Sequence, residues 1–252
     1  MPDTLALVLL VVAAFGAGTV DAIAGGGGLI TVPALLATGL DTHLALGTNK
    51  GQSVWGSGAA AITFWRAGRL DLRKARVTFP LALAGATAGV FAVLAVPPGT
   101  LKPVVIVLLI AATALLIVKK PEAGTPPTPR ARMLISAALA LVIGAYDGFF
   151  GPGTGTFLIV GFVALCGDAP TAATADAKVV NFASNLASIT IFALRGQVVW
   201  GLALPMAAAQ LCGGVLGARL AVRGGARLVR GMVVLVSIGL VIKLARELYL
   251  GL

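Results

Sequence analysis

Five apolar runs sit at or near the length that crosses a lipid bilayer, and nothing else in the chain constrains its fold as strongly. They are Leu5–Ala24, Val77–Val96, Leu134–Phe150, Val198–Val222 and Leu228–Leu250. About 30 Å of hydrocarbon needs roughly 20 apolar residues in a helix. Lipid offers backbone N–H and C=O groups no partner, so such runs become helices that satisfy their own hydrogen bonds. With 58% hydrophobic and 11% charged residues and a mean hydropathy of +1.01, little of the chain remains for a soluble domain. The reading is an all-α polytopic membrane protein.

The net charge of +10 does not point to nucleic acid. The arginines lie in short loops beside apolar runs, which is the pattern of the positive-inside bias. The start, Met1-Pro2-Asp3-Thr4, has no basic region and does not read as a signal peptide. Cys166 and Cys212 lack a metal-like spacing and read as small buried hydrophobes. His43 is the only histidine. A metal site or histidine-based triad is therefore not expected, no cofactor is implied, and an intramembrane enzyme lacks its usual motifs.

The chain repeats itself. Asp21-Ala22-Ile23-Ala24-Gly25-Gly26-Gly27 matches Asp147-Gly148-Phe149-Phe150-Gly151-Pro152-Gly153 at an offset of 126. Further on the offset is 128: Lys50 matches Lys178, Phe64 matches Phe192, and Gly68 matches Gly196. Gly85, Gly89 and Lys102 match Gly213, Gly217 and Arg230. The expected organisation is an N-terminal repeat at 1–120, a Pro-rich charged linker at 121–132 and a C-terminal repeat at 133–252, forming one transport domain.

Each half reads as about five helical segments, at 4–24, 29–40, 43–66, 77–96 and 101–118 in the first. The second segment, with about 12 residues, reaches only ~18 Å and is too short to span. If it lay flat and the other four crossed, the basic loops would fall on opposite sides. If segments one and two form a re-entrant hairpin, each half crosses three times and the second half is inverted. The basic stretches 66–76, 119–132 and 219–230 then share the cytoplasmic side, as the charge bias favours. The expectation is two inverted repeats, with short re-entrant or broken helices at the Gly-rich motifs.

The glycine runs are the strongest candidates for a site. Gly25, Gly26, Gly27 and Gly28 precede one short apolar helix, and Gly151, Gly153, Thr154 and Gly155 precede the other. A break there frees helix-start N–H groups, and a helix N-terminus favours an anion. Lys50 and Lys178 open apolar segments that also carry Asn49, Gln52 and Ser53, or Asn181, Ser184 and Asn185. Intramembrane ionisable groups are costly and tend to be functional. Asp21 and Asp147 match in the repeat; they can cap the breaks, pair with the lysines or carry a coupling proton, and the structural role is preferred. Gly85, Gly89, Gly213 and Gly217 read as helix-packing positions whose small faces also suit a homodimer. Trp55 and Trp200 read as interface or packing aromatics.

The residues Asp21, Gly25–Gly28, Leu29-Ile30-Thr31-Val32-Pro33 and Ala45-Leu46-Gly47-Thr48-Asn49-Lys50 form one signature. Gly144-Ala145-Tyr146-Asp147, Gly151–Gly155 and Ala175-Asp176-Ala177-Lys178, with Asn181, form its second copy. In order and spacing this resembles the TauE/SafE family of sulfite exporters, also called TSUP, over nearly the whole chain. The resemblance implies a multi-pass inner-membrane carrier for small sulfur-containing anions such as sulfite, thiosulfate or sulfoacetate. The competing expectation is a cation carrier or channel built on Asp21 and Asp147. A purely structural membrane subunit fits less well, because polar groups recur at matching places.

Overall fold

The computed structural model describes residues 4–97, 100–101, 103–105, 107–108 and 127–250, with side chains described through Gly225 and at Leu228. Most of the segment expected at 101–118, most of the linker, Lys102, and the side chains of Arg227, Arg230 and most of the C-terminal apolar run lie outside the described residues or side chains.

Eight helices are described. They are α1 (Thr4–Ala24), α2 (Gly28–Ala37), α3 (Thr42–Arg66), α4 (Leu72–Leu94), α5 (Pro129–Phe149), α6 (Thr154–Cys166), α7 (Pro170–Leu194) and α8 (Trp200–Leu250). The last breaks at Gly225, where φ is 58° and ψ −155°. Among the described residues, five helices are long and apolar enough to cross a membrane: α1, α4, α5, α7 and the Trp200–Gly225 limb of α8. The protein is thus an all-α polytopic membrane protein. Helix α3 is long enough but more polar. It is buried along most of its length, so it needs little apolar surface toward lipid.

The short helices are hairpin arms. With 10 residues, α2 is ~15 Å long. It folds back along α1, so that Leu35 joins Leu10 and Ala14 in one cluster with Ala45. Helix α6 returns along α5 in the same way. Its last residue, Cys166, meets the Ser136 hydroxyl at 3.4 Å near the start of α5. Chain entry and exit of each hairpin therefore lie at one end, with the glycine break at the tip.

Repeat-equivalent contacts recur across the molecule. Gly68 and Gly196 both adopt φ of 67° and end α3 and α7. Arg69 N–H donates to Phe64 O, and Gln197 N–H to Phe192 O, 128 residues on. Helices α3 and α7 pack antiparallel: Gly47 faces Phe192, Gly51 faces Ile189, and Gly58 faces Phe182. The first helix of each repeat packs on the fourth helix of the other. A Cβ on Gly213 or Gly217 would overlap the carbonyls of Phe15 or Thr19, and on Gly85 or Gly89 those of Leu141 or Ala145. These are the same contacts shifted by 128 and 126 residues. In both seams the helices run parallel, at backbone separations only glycine permits. The small faces offered above to a second copy are therefore consumed inside the chain.

Described members of the basic stretches share one end. The Lys74 ammonium and the Arg132 guanidinium both bond Asp168, and Leu70 and Leu228 pack on the cluster of Phe64, Ala218 and Ala221. Two expectations are corrected here. Helix α4 starts at 72 rather than 77, because the Asp71 carboxylate accepts from Arg73 N–H (2.9 Å) and Lys74 N–H (3.2 Å) and caps it. Lys74 is consequently no loop residue. It is buried over the Phe162 ring at 3.6 Å, with Asp168 at 2.6 Å and Asp176 at 2.9 Å. Cys166 is a buried free thiol, but Cys212 is exposed on the outer face of α8.

Candidate functional site

The two glycine breaks meet in the interior. Helix α1 stops because Gly25 and Gly26 take φ of 78° and 90°, and α5 is followed by Gly151 and Gly153 at 97° and 87°. Side-chain-bearing residues rarely adopt these values. Space forbids a side chain too: a Cβ on Gly25 would overlap the Gly155–Thr156 backbone, and one on Gly155 would lie 2.8 Å from the Gly25 Cα. Helices α2 and α6 both begin at these breaks without a side-chain cap. The Leu29, Ile30 and Thr154 N–H groups donate to the Gly26, Gly27 and Gly151 carbonyls, so what the two helix ends direct at the junction is chiefly their dipoles.

Each lysine reaches across the molecule to the aspartate of the other repeat. Lys50 on α3 bonds the Asp147 carboxylate at 2.7 Å and its backbone carbonyl at 2.5 Å. Lys178 on α7 bonds Asp21 at 2.8 Å. Both ammonium groups are essentially buried. Taking such charges from water is expensive, and an opposite charge at hydrogen-bond distance offsets it.

The two pairs differ in their surroundings. Asp147 also accepts from the Thr154 hydroxyl at 3.1 Å and from the Ser184 hydroxyl. Asp21 accepts from Lys178 and, at 3.2 Å, from Gly27 N–H. Its side chain is 16% exposed, against 4% for Asp147. The repeat positions corresponding to Thr154 and Ser184 are Gly28 and Gly56, so the hydroxyl clamps are missing around Asp21.

A small polar cleft opens at this junction. Of the residues singled out above, Asp21, Gly26, Gly28, Asn49, Lys50, Asp147, Gly151, Gly153, Thr154, Gly155 and Asn181 line it. Gly25, Gly27, Gln52 and Lys178 do not. Gly25 packs on the opposite break, Gly27 binds Asp21, and Lys178 stands behind the wall, its Nζ 3.1 Å from where a Gly155 Cβ would sit. Gln52 donates to Asn49 Oδ1 at 3.0 Å, as does the Thr31 hydroxyl at 2.6 Å, which fixes the Asn49 amide at the wall. Ser53, Asn185 and Gln210 also line the cleft. Gln210 was not among the sequence candidates, although a lone glutamine within an apolar run was a visible signal. His43 is buried with its Nε2 3.1 Å from the Val93 carbonyl, and no cluster of metal-ligating side chains occurs among the described residues.

Chemically, the arrangement offers a small polar chamber at the tips of two helical hairpins. Helix N-termini, amides and one lysine face it. Its ionised groups cancel in pairs.

The profile of the family described as Sulfite exporter TauE/SafE matches residues 10–244. The chain is 41% identical over 246 residues to "Probable membrane transporter protein ORF9" of Sinorhizobium sp, covering 96% of this chain and 93% of the relative. It is 37% identical over 241 residues to "Probable membrane transporter protein YfcA" of Escherichia coli (strain K12), covering 94% and 88%. A "Probable membrane transporter protein" of Haemophilus influenzae is 37% identical over 243 residues, covering 96% and 95%. No solved structure matches the chain. With a profile that spans nearly its whole length and relatives of this identity and coverage, the chain belongs to the TauE/SafE family of sulfite exporters.

Proposed function

We propose that the protein is a secondary transporter that exports small sulfur-containing anions, such as sulfite, thiosulfate or organosulfonates resembling sulfoacetate, across the inner membrane. The observation that carries this reading is the convergence of two uncapped helix N-termini on one cleft beside Lys50. Two lysines and two aspartates sum to zero charge, so the helix ends decide the sign. Each contributes the equivalent of about half a positive charge, which favours an anion. A cation carrier has less to work with, because both aspartates already hold a lysine. The names of the relatives and the family support transport, and the sulfur anion follows the family description.

The solute meets no bare ammonium. It competes with a carboxylate at Lys50 in the cleft wall, and reaches Lys178, behind the wall, when Asp21, the less restrained partner, moves aside. Alternating access follows from the inverted relation of the repeats. The moving bodies are not the repeats themselves: the glycine seams lock α1 to α8 and α4 to α5, so each rocking body joins helices of both repeats, with α3 and α7 between them. The end that gathers the basic stretches faces the cytoplasm by the charge bias. Export of a monoanion from a negative interior is downhill by ~2.3 kcal/mol per 100 mV.

The test is uptake of labelled sulfite, thiosulfate and sulfoacetate into proteoliposomes, with and without an imposed potential. Saturable, potential-sensitive uptake is expected. K50A and K178A should each lower it at least about tenfold in protein that still folds, the loss expected for one charged hydrogen bond. Unchanged flux in both variants removes the lysines from the site; no flux of any of the three anions removes the anion reading.

A further inference from the structure

Gln210 sits on α8, is 2% exposed, and lines the cleft. Its Oε1 is buried without a hydrogen-bond partner among the described residues. A buried acceptor left unpaired weakens a fold, so such groups normally find a donor or are replaced. The repeat shows that packing does not require the amide, because the equivalent position is Ala82, fully buried in an apolar cluster. The glutamine is fitted to its place all the same. Gly56 leaves the room its side chain occupies, and Gly18 lets α1 approach its backbone. Where the other half of the site carries Ser184 on Asp147, this half has Gly56 and, against it, the Gln210 side chain. One carboxamide oxygen thus lies buried in the wall of a cleft that Asp21 also lines, with no donor to meet it among the described residues.

We propose that Gln210 determines specificity: its carboxamide oxygen accepts a hydrogen bond from the transported solute. This rests on the anion-transport reading and narrows it. The solute is an oxyanion of sulfur that carries its own donor, either hydrogen sulfite or an organosulfonate with a hydroxyl group. A site with an acceptor for that donor discriminates against an otherwise similar anion lacking it, because the acceptor then stays unpaired.

The experiment uses the full-length protein in proteoliposomes. Flux of labelled hydrogen sulfite is measured, with 2-hydroxyethanesulfonate and ethanesulfonate as competitors of nearly the same shape; labelled 2-hydroxyethanesulfonate is the second transported probe. The unsubstituted protein should prefer the hydroxyl-bearing competitor by about two- to tenfold, the range of one neutral hydrogen bond. Q210M keeps the length of the side chain and removes the acceptor. It should abolish the preference without lowering the thermal midpoint, since it deletes a polar atom that has no protein partner. Q210L should do the same, which guards against a fault peculiar to one variant. Flux of hydrogen sulfite alone, or of both probes, tells which donor-bearing anion is carried, and either supports the proposal. An unchanged preference in Q210M and Q210L overturns it. So does a preference for ethanesulfonate in the unsubstituted protein, which would mean that the amide N–H₂ group faces the solute. A lowered midpoint with both competitors weakened alike would make Gln210 structural. Saturable flux of sulfur anions with no hydroxyl preference sinks this inference and spares the transport reading, whereas absence of flux in the folded, unsubstituted protein sinks both.

Discussion

Lys50–Asp147 and Lys178–Asp21 occupy equivalent places in two copies of one unit, yet their settings differ. The first pair is held by two hydroxyls as well as by its own ionic contact. The second has glycine at both corresponding positions, a partly exposed carboxylate and, lining the same cleft, a carboxamide oxygen without a partner among the described residues. Duplication supplies two identical sites; on the transport proposed above, divergence has made one a fastening and left the other free to exchange partners. A carrier needs both, because a chamber whose every polar group is satisfied internally has nothing to offer a solute.

The comparison breaks most visibly if the fastening is cut. Asp147→Ala takes the counter-charge from the buried Lys50 ammonium, leaving it only the backbone carbonyl at that position, and should cost about 3–5 kcal/mol. Asp21→Ala should cost about 1–3 kcal/mol, because its site opens to the cleft and a water can replace the carboxylate. Thermal unfolding in detergent measures both, and equal losses would deny the distinction. The ends of the molecule extend the contrast. Lys74 pairs with Asp168 and Asp176 at one end, where the other end places Leu202 in an apolar cluster and Thr48 accepting from Val199 N–H at 3.0 Å. Lys74→Ala strands the buried Asp176 carboxylate, leaves Asp168 to Arg132 alone, and should cost about 3 kcal/mol or more; Thr48→Ala removes one neutral bond, worth about 1 kcal/mol. The same melting assay decides, and a larger loss for Thr48→Ala would refute the assignment. The seams provide the control. Gly89→Ala and Gly217→Ala each press a methyl group into a carbonyl of the facing helix, so each should cost about 1–3 kcal/mol, and by similar amounts. A twofold or larger difference in their costs would show that the repeats have diverged in packing as well as in polar groups. The smallest effect is expected from Ser184→Ala, which takes one of several donors from Asp147 and should cost about 1 kcal/mol; no loss would mean that the clamp does not hold the pair.

Much of this was legible beforehand because it repeats. The matched glycine motifs, Lys50 with Lys178 and Asp21 with Asp147 are a pattern no single copy would reveal, and a helix of about ten residues is too short to span whatever surrounds it. What stayed hidden was pairing across the chain. Nothing in the order of residues says that Lys50 finds Asp147, 97 positions away, rather than the nearer Asp21. Lys74 was assigned to a basic loop because its sequence neighbours are arginines. Its partners Asp168 and Asp176 come from a distant stretch, and only the fold brings them in. Cys212 reads as a buried hydrophobe from its apolar run, but a helix bordering lipid has an apolar outer face as well, and hydrophobicity does not tell the two faces apart. Gln210 was missed because repeat matching rewards what is shared, whereas its meaning lies in the mismatch with Ala82.

The glycine seams also constrain how the protein is made. Helix α1 leaves the ribosome well before its close-fitting partner α8, which begins at residue 200. Until then the Phe15 and Thr19 carbonyl edge waits in the bilayer without the surface cut to receive it. The nascent N-terminal half has only its own short contacts, and α4 likewise waits for α5. Assembly is therefore completed by the helix that inserts last among those described in the core. A chain interrupted before α8 would leave behind membrane-inserted helices with an open groove, the kind of intermediate that quality control removes.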